Sequence, residues 1–427
     1  MTATRLLKGA TIILAAAAWF VAAALLWRTK VPADLHRPRL DASAFFSHAQ
    51  LHKAARYSSV GRLLFFLAVA VQLAVLAVLA LLGRRLARGF ALGEIGAGVM
   101  IGVAASLFVT LATLPVGLAS LWWDRRYGIS KQEYWSFVLG QWGRVLAQTA
   151  TVAIVLAVVM SLARRFPRGW WAIVAPLFVA VGAVFVVVGA LLAPIGTQPI
   201  RDPQVAAVVE RLEQREGVPH TEIRVDKVSN ETRAVNGETT GVGPTTVVIL
   251  WDTLFKSHLS DRAIEFVTAH ELGHVARRHV LKGLGWGALF TVPLTFLLAW
   301  ATRRRGGLHR AEVVPFALLV VFTLSLLATP LENVVSRRYE SEADWMALQA
   351  TRDPGAGREA FRSFTRIDLA QPNPPEWSYV LLDTHPTVIQ RIAMTEAWET
   401  RRVWRETARR RGAMLVPWGG RRERSYP

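Results

Sequence analysis

Seven stretches of the chain carry no Asp, Glu, Lys or Arg: residues 9–27, 63–82, 96–123, 145–163, 170–193, 283–301 and 313–331. Each has at least 19 residues. A helix rises 1.5 Å per residue, so about 20 residues cross the hydrocarbon of a bilayer. Buried helices of water-soluble proteins rarely run so long without a charge, and the pattern predicts seven transmembrane helices. Trp27, Trp122, Trp123, Trp170, Trp171 and Trp300 lie at run ends, where amphipathic rings suit the membrane interface. The first run exceeds the apolar core of a secretion signal, and Trp27-Arg28-Thr29-Lys30 offers no small-residue cleavage site. It is therefore read as a retained span.

The runs divide the chain into a five-span region (1–194), a first polar segment (195–282), two further spans (283–331), a second polar segment (332–398) and a basic tail (399–427). The expected fold is mainly α: a polytopic membrane protein bearing a small α/β unit. Residues 203–217 place Val205, Val208, Val209 and Leu212 at helical spacing. Residues 221–228 alternate as a strand, 245–251 form a β-branched run, and 237–244 between them read as turn. Ser260-Asp261 then caps a helix expected over 262–280.

Charge changes the picture little. The 50 Lys and Arg against 31 Asp and Glu give +19, which in a soluble chain would suggest nucleic acid. Here Arg84-Arg85, Arg164-Arg165, Arg303-Arg304-Arg305 and Arg409-Arg410-Arg411 flank spans or lie in the tail. Anionic lipid headgroups are the simpler partner, and no aromatic-basic motif argues for nucleic acid. Cysteine is absent, so any zinc site must use His, Asp or Glu.

Such a site is offered by His270-Glu271-Leu272-Gly273-His274. H-E-x-x-H puts two imidazoles on one helical face, where they can hold a single Zn²⁺, and puts the Glu within reach of the attacking water. This is the arrangement of a metalloprotease. The helix around it carries Asp261, Arg262, Glu265, Arg277 and Arg278, so the motif lies outside the spans, although the sixth run begins only at Gly283. The extended H-E-x-x-H-x-x-G-x-x-H pattern is excluded, because Arg277 and Val280 occupy its Gly and last His positions. His279 falls one residue early and is read as a surface histidine or a support for a ligand. A Glu on a later helix can supply the third ligand, with Glu332, Glu340 and Glu342 as candidates.

The stretch from Asn333 through Ser336-Arg337 and Glu340 to Ala343-Asp344 resembles the N-x-x-S-R-x-x-E-x-x-A-D signature of the CAAX prenyl protease type 1 family. These are multi-pass membrane zinc endopeptidases with bacterial members. The resemblance implies that Glu340 is the third zinc ligand and that Asp344 holds a zinc histidine in place. Asp383-Thr384-His385-Pro386, continuing to Arg391, is similar to the family's H-P-x-x-x-x-R segment. This implies that His385 and Arg391 stand near the site, to stabilise the oxyanion or position substrate. Residues 125–132 resemble the loop before the family's fourth span. Asn236-Gly237 with 247–254 resembles its substrate-strand region, but Thr232-Arg233 stand where members often carry Asn-Ala.

The expected activity is hydrolysis of peptide bonds in membrane-associated or misfolded proteins. The rival is a transporter, or a non-cleaving binding protein, with structural zinc. The absence of ionisable residues in all seven runs weighs against a transport pathway. The composition reads as bacterial, which implies a bacterial cell membrane. Basic loops after the second, fourth and sixth runs would put the catalytic segments outside by the positive-inside rule, whereas the family resemblance and the Arg-rich tail favour the cytoplasm.

Overall fold

A computed structural model describes residues 3–218 and 220–410. The part of the basic tail beyond 410 lies outside the described residues. The apolar runs fold as long helices: α1 (Ala3–Leu26), α2 (His48–Arg88), α3 (Gly93–Arg126), α4 (Tyr134–Arg165) and α5 (Trp170–Gly196) before the first polar segment. The polar segment contains β1 (Thr197–Pro199), α6 (Pro203–Glu216), β2 (Glu222–Asp226), β3 (Gly237–Thr240), β4 (Val247–Trp251), α7 (Asp252–Lys256) and α8 (Asp261–Ala276). Then come α9 (His279–Arg303), α10 (Val314–Thr351), α11 (Pro354–Arg366), α12 (Glu376–Leu382) and α13 (Val388–Arg410). Among the described residues, six helices are long and apolar enough to cross a membrane, and the apolar part of α1, Ile13–Leu26, is shorter. The chain is a multi-pass membrane protein.

The 41 residues of α2 amount to about 62 Å of helix, about twice a bilayer core. Its first turns therefore stand clear of the apolar run. They begin at a capping box, in which Ser47 and Gln50 satisfy each other's backbone N–H. There Tyr57 donates to Asp124 of α3 at 2.7 Å, and Arg62 to Gln371 at 3.0 Å, which ties α2 to the second polar segment. α3 and α4 approach closely at Gly98 and Gly102, where a Cβ would meet Met160 and Leu156.

The four strands form one sheet in the order β1-β2-β4-β3, with β2 and β4 parallel and both edge strands antiparallel. Val248 and Leu250 face α8 and join the main core with Phe266, Leu272, Leu348, Phe361 and Ile392, while Val247 and Ile249 pack on Ala190 of α5. One face of the sheet thus rests on a span and the other on the motif helix.

Two local expectations are corrected. The stretch 237–244, read as turn, contains strand β3. Its Gly-Glu-Thr-Thr sequence lacks apolar alternation because it is an edge paired only to β4. The helix expected over 262–280 stops at Ala276, Arg278 adopts φ 53°, and a new helix starts at His279. The sixth span therefore begins four residues before Gly283.

Candidate metal centre and active site

α8 enters the core with Ala269 and Leu272 against the sheet and α10, which turns His270, Glu271 and His274 toward a cavity of about 240 Å³. The two imidazole Nε2 atoms lie 3.2 Å apart. Two ligands about 2.0–2.1 Å from a tetrahedral zinc would be separated by about 3.3 Å. From α10, Glu340 brings its carboxylate to 3.2 Å from His270 Nε2 and 3.5 Å from His274 Nε2. Its Oε2 is buried without a hydrogen bond of acceptable geometry. An orphaned carboxylate oxygen facing two imidazole nitrogens is what a cation would satisfy. Among the described residues these three side chains form a metal-sized group, their ligand atoms within 4.8 Å of one another.

The far sides of both imidazoles are fixed. His270 Nδ1 is 2.9 Å from Asp344 Oδ1, and Asp344 in turn accepts from Arg391 Nε at 2.9 Å and Nη2 at 2.6 Å. His274 Nδ1 lies 3.0 Å from His279 Nδ1, whose Nε2 lies 3.1 Å from Glu342 Oε2. With Glu342 accepting from His279, and His279 from His274, both Nε2 lone pairs are left pointing at Glu340; this tautomer assignment follows from the hydrogen-bond network. Glu342 also accepts from Arg277 at 2.6 Å and from the Lys30 N–H at 2.7 Å. Of the three candidate carboxylates, then, Glu340 is at the site, Glu342 braces the joint between α8 and α9, and Glu332 is exposed.

Burial disfavours charge on His270, yet the Asp344 and Glu340 carboxylates raise its pKa to about 10. Burial pushes His274 down to about 3. Glu271 is raised above the usual carboxylate range by burial, against the charge of His270. Its Oε2 accepts from Thr239 Oγ1 at 2.9 Å. A Cβ at Gly237 would come 3.0 Å from Glu271 Cγ and 3.2 Å from Leu250 Cδ2, so a side chain there would have to push one of them aside. Asn236 lines the same cavity, its carbonyl accepting from the Trp251 N–H at 3.0 Å. Asp368 Oδ1 accepts from the Val235 N–H at 3.1 Å and steadies the approach to β3.

His385 reaches the cavity from the segment before α13, with Nε2 3.3 Å from Glu340 Oε2. Arg391 also lines the cavity but is buried, held by Asp344, with its guanidinium 4.4 Å from the Phe361 ring centre. All the site residues expected from sequence thus converge on one cavity or support it. Thr239, Asp368 and the supporting role of Glu342 had no motif to announce them.

Residues 199–399 match the family model of peptidase family M48, and residues 22–200 match that described as CAAX prenyl protease N-terminal, five membrane helices. The chain belongs to the M48 peptidases. Among M48 relatives, metalloprotease YhfN of Bacillus subtilis is 24% identical, over 86% of this chain and 91% of its own. CAAX prenyl protease 1 of Saccharomyces cerevisiae is 25% identical, over 57% of this chain and 60% of its own. A protease HtpX homolog of Acaryochloris marina is 27% identical, over 46% of this chain and 72% of its own. The crystal structure of S. mikatae Ste24p superposes with a TM-score of 0.71 at 18% identity, covering 89% of this chain and 96% of that one, and shares the fold. This M48 chain is a membrane metalloprotease.

Proposed function

We propose that the chain is a zinc endopeptidase that hydrolyses peptide bonds of membrane-associated or misfolded proteins, with His270, His274 and Glu340 holding one Zn²⁺. The observation that carries this reading is the buried, unsatisfied Glu340 Oε2 opposite His270 Nε2, with Glu340 Oε1 beside His274 Nε2. A bound Zn²⁺ supplies Lewis acidity, which acidifies a water and polarises a carbonyl. The substrate lies extended along the free edge of β3, continuing the sheet. Glu271, buried and oriented by Thr239, takes a proton from the water as its oxygen bonds to the scissile carbon, then delivers it to the amine as the C–N bond breaks. His385 donates toward the carbonyl oxygen as negative charge develops there. Arg391 orients Asp344, which keeps the His270 Nδ1 protonated and its Nε2 free.

Glu271→Gln keeps the shape and the metal ligands but removes the base. The purified variant should retain metal at parent stoichiometry and lose casein or membrane-peptide cleavage by at least about a hundredfold. A chelator should stop the parent enzyme. Cleavage at the parent rate by the Gln variant would rule the mechanism out.

We place the enzyme in a bacterial cell membrane with its catalytic segments in the cytoplasm, where the basic tail meets anionic lipid. Reporter fusions after Pro427 and within 303–310 test this. Cytoplasmic signal from the first and extracytoplasmic signal from the second is expected; the reverse overturns it.

A further inference from the structure

A groove of about 890 Å³ lies outside the catalytic cavity, between the linker joining α1 to α2 and the paired helices α10 and α13. Arg37, Arg39, Arg337 and Arg338 line it, with no Asp or Glu among its walls. Arg337 donates to the carbonyls of Tyr379 at 2.9 Å and Asp383 at 2.6 Å, and Arg338 to that of Trp27 at 2.6 Å. These contacts fix the guanidinium groups without neutralising them. Arg37 and Arg39 have no ion-pair partner among the described residues. Asp344 and Glu342, whose charges reach Arg37 and Arg338, are occupied by Arg391 and His270 and by Arg277 and His279; on the linker itself Asp34 pairs with Arg401 and Asp41 accepts from the Ser43 N–H.

The position of the groove decides what it holds. On α10, Leu327, Leu331 and Val334 are 68, 58 and 42% exposed. They follow one another at steps of four and three, and Arg338 comes four later, so all four share a helical face. An apolar, lipid-facing stripe thus runs directly into the cationic groove, and Val334 and Arg338 both line it. Trp27, at the end of α1, marks the same level. Its ring lies 4.3 Å from the Arg338 guanidinium and 6.2 Å from that of Trp286, an interfacial aromatic against the charge.

We infer that this groove binds the headgroup of an anionic glycerophospholipid, its phosphate among Arg37, Arg39 and Arg338 and an acyl chain along Leu327, Leu331 and Val334. Four like charges brought together at a membrane surface are relieved by an anion, and the stripe selects one that carries a chain. The site is separate from the basic loops on the opposite side of the spans and does not depend on the chemistry assigned to Glu271.

The test uses the full chain, stripped of lipid in detergent and titrated with phosphatidylglycerol or phosphatidylcholine while bound lipid is counted by native mass spectrometry. Phosphatidylglycerol should hold in preference to phosphatidylcholine. Each of R37Q and R39Q should weaken it about fivefold, the worth of about 1 kcal/mol per basic residue. R164Q/R165Q, on the opposite side, should leave the tight site intact. An unchanged thermal midpoint without lipid shows that each variant is folded. Parent-level retention by R37Q/R39Q, or greater loss in R164Q/R165Q, overturns the proposal. Equal displacement by inorganic phosphate would make the site one for free phosphate and overturn the lipid assignment.

Discussion

Glu271 works under constraints set by two residues of β3, of which the family resemblance names only Gly237. Gly237 gives β3 room to lie against it, and Thr239 donates to its Oε2. Thr239→Val removes the hydroxyl at nearly constant volume. The loss of a hydrogen bond worth about 1 kcal/mol should lower kcat/KM about fivefold with metal content unchanged. An unchanged kcat/KM would show that Glu271 is held by burial alone. His270, His274 and Glu340 were legible in the sequence because the H-E-x-x-H spacing and the family signature fix their chemistry. Asp344 was legible through the same family signature, which its place one helical turn from Glu340 agrees with. Thr239 was not, because a lone threonine in a glycine-rich stretch looks the same whether it faces water or a catalytic carboxylate. Nor did spacing reveal how His279 meets His274, since a break in the helix brings them together.

That break shows what element-level reading misses. A left-handed residue is ordinarily announced by Gly or Asn, and here it is Arg278, held in place by a neighbour, Arg277, bonded to Glu342. β3 escaped notice because its Gly-Glu-Thr-Thr sequence does not alternate between core and water; its free edge is the surface we propose for substrate. By contrast, α6 was legible to within one residue, since its apolar stripe signals helix and Gly217, at φ 67°, caps it just past its last residue, Glu216. α6 also ends on an anomaly. Both carboxyl oxygens of Glu216 are buried without a hydrogen-bond partner, and burial raises its pKa from the ordinary 4.5 to about 8. The fold therefore favours the protonated form. The stability this contributes is whole below about 4.5 and is lost as pH rises through about 8. Glu216→Gln cannot ionise, so its thermal midpoint should be flatter than the parent's across that window and higher above it. Parallel curves would show that Glu216 ionises as freely folded as unfolded.

For the whole molecule, the charge-free runs foretold the spans well, since nothing but a bilayer rewards such lengths of apolar helix. The first run reaches that standard only in part among the described residues. What the runs could not foretell is how closely the catalytic segments are built onto the spans: the sheet leans on α5, α2 clamps the segment after α11, and no linker separates the two regions. α9 and α10 make the point most sharply. α9 begins at His279, which supports one imidazole of the proposed metal site, and α10 carries Glu340. The rings of His279 and Tyr339 stack between these helices at 4.5 Å. Pro330 inside α10 can absorb a bend, but an axial slip of α10 along α9 is transmitted to the distance between Glu340 and His274. The thickness of the surrounding lipid thereby becomes an input to the chemistry, because hydrophobic mismatch shifts and tilts spans of unequal length. In bilayers of graded acyl-chain length, turnover should pass through an optimum at constant metal content, and a flat profile would show the two helices to move as one body.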